Sequence, residues 1–166
     1  MRKVILSICV VLLSLCLIAC DTNETNESKQ IYQHEVEVQK RDSTQQTAAT
    51  IDLSLRVGNK TFSAKLYDNQ TTHALVDNFP ITVDMSELNG NEKYYYLSNT
   101  LPTASEQPGE IHAGDIMLYG DDCLVVFYET FSSTYKYTRL GYVEDATGFA
   151  QAVGDGNITV TFDLVK

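Results

Sequence analysis

Hydrophobic and polar positions divide the chain into three stretches. Residues 4–18 form an almost unbroken apolar run behind the positive start Met1-Arg2-Lys3. Residues 21–49 are polar, dominated by Asn, Thr, Glu, Gln and Ser, and their few scattered aliphatic side chains cannot bury a core. From Ile51 onward apolar residues alternate in short runs broken by turn residues, the pattern of half-buried strands.

The alternation of Ile51, Leu53, Leu55 and Val57 predicts a first strand. Gly58-Asn59 supplies a hairpin turn, and Phe62, Ala64 and Leu66 continue the alternation on the return strand. Asp68-Asn69 offers a helix cap, followed by an apolar face of Ala74, Leu75, Val76 and Phe79 that stops at Pro80. Ile81, Val83 and Met85 predict a third strand, and Asn89-Gly90 turns into a fourth over residues 93–97. Residues 98–113, with Pro102, Pro108 and Gly109, read as a long loop of the kind that often carries function. Four more strands are predicted over 115–119, 123–128, 135–144 and 157–164, with a tight turn at Gly120-Asp121-Asp122 and a short helical turn over 147–153. Eight short, evenly spaced strands and one or two short helices predict an all-β domain, closed as a barrel or stacked as a sandwich, because closure removes exposed sheet edges.

The leading apolar run is shorter than the roughly 20 residues a spanning helix needs and matches the hydrophobic region of an export signal. It ends in Leu17-Ile18-Ala19-Cys20, which resembles the lipobox of bacterial lipoproteins. The resemblance implies a signal peptide over 1–19, diacylglyceryl on the Cys20 sulfur, a lipid-anchored flexible linker over 20–49 and a folded domain over 50–166. It places that domain on the extracytoplasmic side of the cell membrane, with the membrane as a partner through the lipid on Cys20. Two or three acyl chains give a stable anchor where one is marginal. Cys9 and Cys16 would leave with the leader and Cys20 would carry the lipid, so Cys123 alone would remain as a free thiol, and no intrachain disulfide is expected. The apolar run that Cys123 opens marks it as a buried structural thiol rather than a nucleophile.

Charge narrows the partners. The whole chain carries a formal −10, and without Arg2 and Lys3 there are 10 basic residues against 22 acidic ones. Such a surface repels nucleic acid. His34, His73 and His112 are scattered, and Asp121-Asp122 lacks the spacing of a Ca²⁺ loop, so no metal is expected. No P-loop, Gly-x-Gly-x-x-Gly or Gly-x-Ser-x-Gly pattern occurs, and no cofactor is expected. His112 stands beside Gly114-Asp115, where a histidine near a carboxylate can move protons, yet a lone loop histidine is more often inert.

Aromatic clustering is the main remaining signal. Eight of the ten tyrosines fall between Tyr94 and Tyr142, and strand alternation puts Tyr94 and Tyr96 on one face with Tyr95 on the other. Tyr94, Tyr96, Tyr119, Tyr128 and Tyr135, with Arg139, form a candidate groove for a peptide or small-molecule ligand. The same tyrosines serve equally well to fill a small barrel. Arg139 either holds a ligand anion or pairs with a carboxylate such as Asp115 or Glu92.

Four stretches carry a wider likeness: Asn-Gly-Asn-Glu-Lys-Tyr-Tyr-Tyr-Leu (89–97), Gly-Glu-Ile-His-Ala-Gly-Asp-Ile-Met-Leu-Tyr-Gly (109–120), Tyr-Thr-Arg-Leu-Gly (137–141) and Gly-Asp-Gly-Asn-Ile-Thr-Val-Thr-Phe (154–162). In order and spacing, residues 51–164 resemble the bacterial cyclophilin-like domain family. The resemblance implies a closed eight-stranded β-barrel related to cyclophilins. Cyclophilin isomerases polarise the prolyl amide with the arginine of a Phe-His-Arg strand, followed by Gln-Gly-Gly-Asp-Phe and Asn-Gly-Ser-Gln-Phe-Phe segments. Here the first is matched by Lys93-Tyr94-Tyr95-Tyr96, without arginine; the second is partly echoed in Ala113-Gly114-Asp115-Ile116; the third is absent. The expected function is therefore a binding or interaction module without efficient isomerase activity. Set against it are a divergent prolyl isomerase acting on exported proteins and a small-molecule enzyme built on the tyrosines and Arg139.

Overall fold

The structure, a computed structural model, describes residues 49–165. The leader, Cys20 and all but the last residue of the spacer lie outside the described residues. Strands β1 (Thr50–Val57), β2 (Lys60–Tyr67), β3 (Ile81–Leu88), β4 (Glu92–Tyr96), β6 (Asp115–Tyr119), β7 (Cys123–Phe127), β9 (Thr138–Val143) and β10 (Ile158–Leu164) close an antiparallel barrel in the order β1-β10-β3-β4-β7-β6-β9-β2. Two further strands, β5 (Gly109–Ile111) and β8 (Phe131–Ser133), pair with each other outside it.

Period-two alternation decides what fills the barrel. Leu53 and Leu55 of β1, Leu66 of β2, Met85 of β3, Ile116 and Leu118 of β6, Leu124 and Val126 of β7, Leu140 of β9 and Phe162 of β10 make one buried cluster. Two helices add to it. Leu75 comes from α1 (Gln70–Val76), and Phe149 and Val153 come from α2 (Phe149–Val153). The Phe149 ring meets Phe62 edge-on at 5.0 Å. Helix α1 starts as the sequence indicates: the Asn69 carbonyl oxygen of the side chain accepts from Thr72 N at 2.9 Å while Thr72 Oγ1 accepts from Asn69 N at 3.2 Å.

The opposite face of β7 carries Cys123, Val125 and Phe127, which join Met117, Ile111 and Tyr137 in a second buried cluster on the outside of the barrel. The β5–β8 pair contributes Ile111 and Phe131 to it. A bulge between β6 and β9 shifts the register from Ile116↔Gly141 to Met117↔Arg139. At Gly141 the strands approach so closely that a Cβ would lie 2.0 Å from the Lys65 carbonyl oxygen and 2.9 Å from Leu66 Cα.

All eight barrel strands were legible as short runs, β7 as an unbroken apolar one rather than an alternating one, and two details differ. The stretch read as one loop over 98–113 contains β5 and a β-bridge from Glu106 to Tyr137, because a second apolar cluster outside the barrel gives Ile111 something to pack on. The strand read over 135–144 begins only at Thr138; Tyr135 and Tyr137 precede it.

Candidate functional site

Alternation along β4 sets the site. Lys93 and Tyr95 face Val126 and Leu124 on the barrel side, while Glu92, Tyr94 and Tyr96 pair with Phe127, Val125 and Cys123 on the outer side. Over that outer face lies a cavity of about 320 Å³. The end of β3 gives it Leu88, the β3–β4 turn gives it Asn89 and Asn91, and β4 gives it Glu92, Tyr94 and Tyr96. Tyr119 of β6, Cys123 and Val125 of β7, Phe131 of β8, and Tyr135 and Tyr137 complete the wall.

The aromatic walls have two halves. Tyr94 and Tyr96 pack edge-on at 5.7 Å, and across the pocket Tyr119 meets Tyr135 at 6.2 Å and Tyr137 at 5.5 Å. Tyr96, Tyr119 and Tyr135 remain 60%, 46% and 64% exposed, a concentration of aromatic surface that a folded domain does not need for its own core. Burial raises the Tyr137 hydroxyl to about 12 and the Cys123 thiol to about 11, so Cys123 is no thiolate at neutral pH. Glu92 is nine-tenths buried, and burial, with the like charge of Glu87 behind it, raises its carboxyl to about 6.

Four of the six groove residues read from the sequence therefore meet: Tyr94, Tyr96, Tyr119 and Tyr135. Tyr128 does not join them. It lies with the barrel's interior cluster, where its hydroxyl donates to Glu87 at 2.8 Å. Arg139 lies elsewhere too, and its partner is neither Asp115 nor Glu92. Its Nε donates to Glu106 Oε1 at 3.1 Å and its Nη2 to the Pro108 carbonyl at 3.2 Å, pinning the segment that leads into β5. It borders a separate cavity of about 500 Å³ with Tyr67, Asn69, Thr71 and Pro102.

Lys93, the residue standing where an isomerase arginine was sought, is fully buried on the barrel side. Its ammonium spends all three protons on Glu87, the Gly154 carbonyl at 2.6 Å and the Gly156 carbonyl at 2.7 Å, and it sits 4.8 Å from the Tyr128 ring centre. Cys123 is buried as expected. His112 is 60% exposed on its side chain, with Nε2 3.2 Å from Glu110. Glu92 and Tyr137 escaped the sequence reading of the groove. The signal for Glu92 was present, since it sits two and four residues before Tyr94 and Tyr96 on the same strand face.

The match to a family model agrees with the barrel. The cyclophilin-like family matches residues 55–163, so the chain belongs to the cyclophilin-like family. No curated protein sequence matches. Among solved structures, a hypothetical protein from Archaeoglobus fulgidus, determined in solution, is similar at 15% identity and a TM-score of 0.48, over 72% of this chain and 98% of that one.

Proposed function

We propose that this protein is a lipoprotein held outside the cytoplasm by lipid on Cys20, and that its barrel offers the outer tyrosine pocket to a peptide or small-molecule ligand without efficient prolyl isomerisation. The carrying observation is the makeup of the pocket: five tyrosines, a phenylalanine and a carboxylate, with no arginine or lysine among the lining residues. Its volume is at the low end for ligand sites, about 300–1,000 Å³.

The case against isomerisation is electrostatic. Rotation about a prolyl bond faces a barrier of about 18–20 kcal/mol set by amide resonance. Lowering it needs a strong donor aimed at the amide. Lys93 has its protons committed inside the barrel, and Arg139 is engaged by Glu106 and Pro108 away from the pocket. The tyrosine hydroxyls that remain are neutral and weaker donors.

Two measurements test the reading. Catalysis of a proline tetrapeptide by the purified chain, assayed beside an authentic cyclophilin, is expected at background; a rate within about tenfold of the control, only about 1.4 kcal/mol in the barrier, would make the divergent isomerase the correct reading. Cys20→Ala should abolish incorporation of labelled fatty acid, and continued labelling would refute the anchor.

A further inference from the structure

The outer pocket holds one group its surroundings leave unanswered. Among the described residues the Glu92 carboxylate has no hydrogen-bond donor and no ion-pair partner, although it is nine-tenths buried and lines the cavity. A largely buried residue whose carboxylate has no protein donor is costly, and such groups are ordinarily paired; the Glu92 oxygens themselves are not sealed from solvent, unlike the Asn91 side-chain oxygen. The nearest lysine in sequence cannot serve, because Lys93 points to the other side of the strand. Asn91 adds to the same deficit: its side-chain oxygen is buried at the pocket wall without a donor. Around these acceptors stand the faces and edges of Tyr94, Tyr96, Tyr119, Tyr135 and Tyr137. Aromatic rings present negative faces and attract ammonium groups, most strongly where water is excluded. Asp122 contributes further negative charge beside Tyr96 and Cys123. The chain's formal charge of −10 draws cations toward it at longer range.

Resting on the reading of this pocket as the ligand site, we infer that its ligand is an organic cation, an alkylammonium group seated among the tyrosines with its charge answered by Glu92. The chemistry covers a free quaternary amine and a peptide-borne lysine or methyl-lysine alike, since both present the same head. A neutral ligand would leave Glu92 unpaired on binding and would desolvate it further.

The ionisable groups facing the pocket are Tyr94 and Tyr96 of β4, Tyr119 of β6, Cys123 of β7, and Tyr135 and Tyr137 ahead of β9; Asp122 in the β6–β7 turn stands beside Tyr96 and Cys123 without lining the cavity, Glu87 of β3 acts from the barrel side, and Lys136 is exposed and outside the lining. Phenols and thiols ordinarily ionise well above pH 6. Glu92 alone among the lining residues is a carboxylic acid, and it takes up its proton near pH 6. Affinity for a cation should therefore be full above that pH and fall as the pH drops through it.

The test is an NMR titration of the full chain in a maltoside detergent, following the pocket tyrosine rings. The probes are choline, its neutral isostere 3,3-dimethylbutanol, and blocked tripeptides centred on lysine or trimethyl-lysine. Choline or a lysine peptide should bind at least tenfold more tightly than the neutral isostere at pH 7.5. That preference should drop about tenfold by pH 5. Glu92→Gln, nearly isosteric, should cut the preference about tenfold and remove its pH dependence, and Tyr96→Leu at an exposed ring should weaken the cation without affecting the melting temperature. Which cationic probe binds better separates a free amine from a peptide ligand. Equal binding of choline and dimethylbutanol, or an unchanged cation affinity in a folded Glu92→Gln protein, would overturn the inference. Binding of an uncharged proline peptide with no response to any cation would also overturn it, while leaving the pocket as the ligand site.

Discussion

Lys93→Met removes the ammonium from the inside of the barrel while keeping most of the side chain's volume. The wild-type amine ties β4 to two other pieces: Glu87 on β3, and the Gly154 and Gly156 carbonyls between α2 and β10. Methionine leaves both carbonyls without this donor. It also leaves Glu87, whose side chain is only 21% exposed, with Tyr128 and the Gly90 amide as its remaining donors. Breaking one partner of a buried pair costs about 3–5 kcal/mol. At about 2.1 cal/mol/K per residue, the 117 described residues unfold with an entropy of about 0.25 kcal/mol/K, so the melting temperature should fall by about 12–20 °C. The effect has a pH signature. Burial alone would raise the Glu87 carboxyl, but hydrogen bonds from Lys93, Tyr128 and Gly90 outweigh it and hold it below the ordinary value. A depressed carboxylate contributes stability above its unfolded pKa and loses it as the pH falls through the folded one. In Lys93→Met the burial is no longer opposed by the ammonium, so protonation relieves the variant where it weakens the wild type. The gap between the two proteins should narrow by several degrees between pH 7 and pH 4. It should not close, because the carbonyls stay unpaired in acid. Calorimetry across that range checks both points, and Lys93→Met combined with Glu87→Gln should lose less than the sum of the single changes. A Lys93→Met protein melting within about 4 °C of wild type at pH 7 would refute the assignment of this amine as a structural clamp.

Two further expectations are simpler. Gly141→Ala should cost several kcal/mol or prevent folding, since its methyl group would meet backbone of β2 rather than a movable side chain; a melt unchanged within about 1 kcal/mol would mean that β2 and β9 are not so close. Cys123 should resist alkylation in the native protein at pH 8, because burial holds its thiol near 11, and should react promptly once denaturant is added; rapid native labelling would contradict its placement.

Most of the barrel was readable because its strands keep one face dry, which writes itself as alternation, while β7, dry on both faces, writes itself as an unbroken apolar run. Ile51-Leu53-Leu55-Val57 and Ile158-Val160-Phe162-Leu164 are plain cases, and they turn out to be neighbours. The site was readable only in part. Tyr94 and Tyr96 share a face by the period of the strand, but the placing of Tyr119 and Tyr135 beside them depends on strand order, which alternation does not encode. That Tyr128 and Arg139 lie away from this pocket was hidden for the same reason. Nothing local tells whether an aromatic side chain fills the inside of a barrel or roofs its outside, nor which distant carboxylate an arginine will reach. Lys93 shows the limit most clearly. Nothing in its neighbours along the strand marks this lysine as buried, and only the convergence of Glu87, Gly154 and Gly156 makes room for its charge inside.

The seam between β1 and β10 has a consequence for how the barrel is made. Leu55 pairs with Phe162 and Val57 with Val160, so the first strand is held on one side by the last. Joining chain ends separated by 105 residues, as between Arg56 and Thr161, costs roughly 4 kcal/mol of loop-closure entropy, and that cost is met before the seam's own hydrogen bonds repay it. Closure of this cylinder therefore waits for the C-terminal strand. A polypeptide still emerging from a ribosome can form hairpins such as β1–β2 but not the finished wall. High contact order of this kind makes folding slow, and it keeps the chain open until its last residues have arrived.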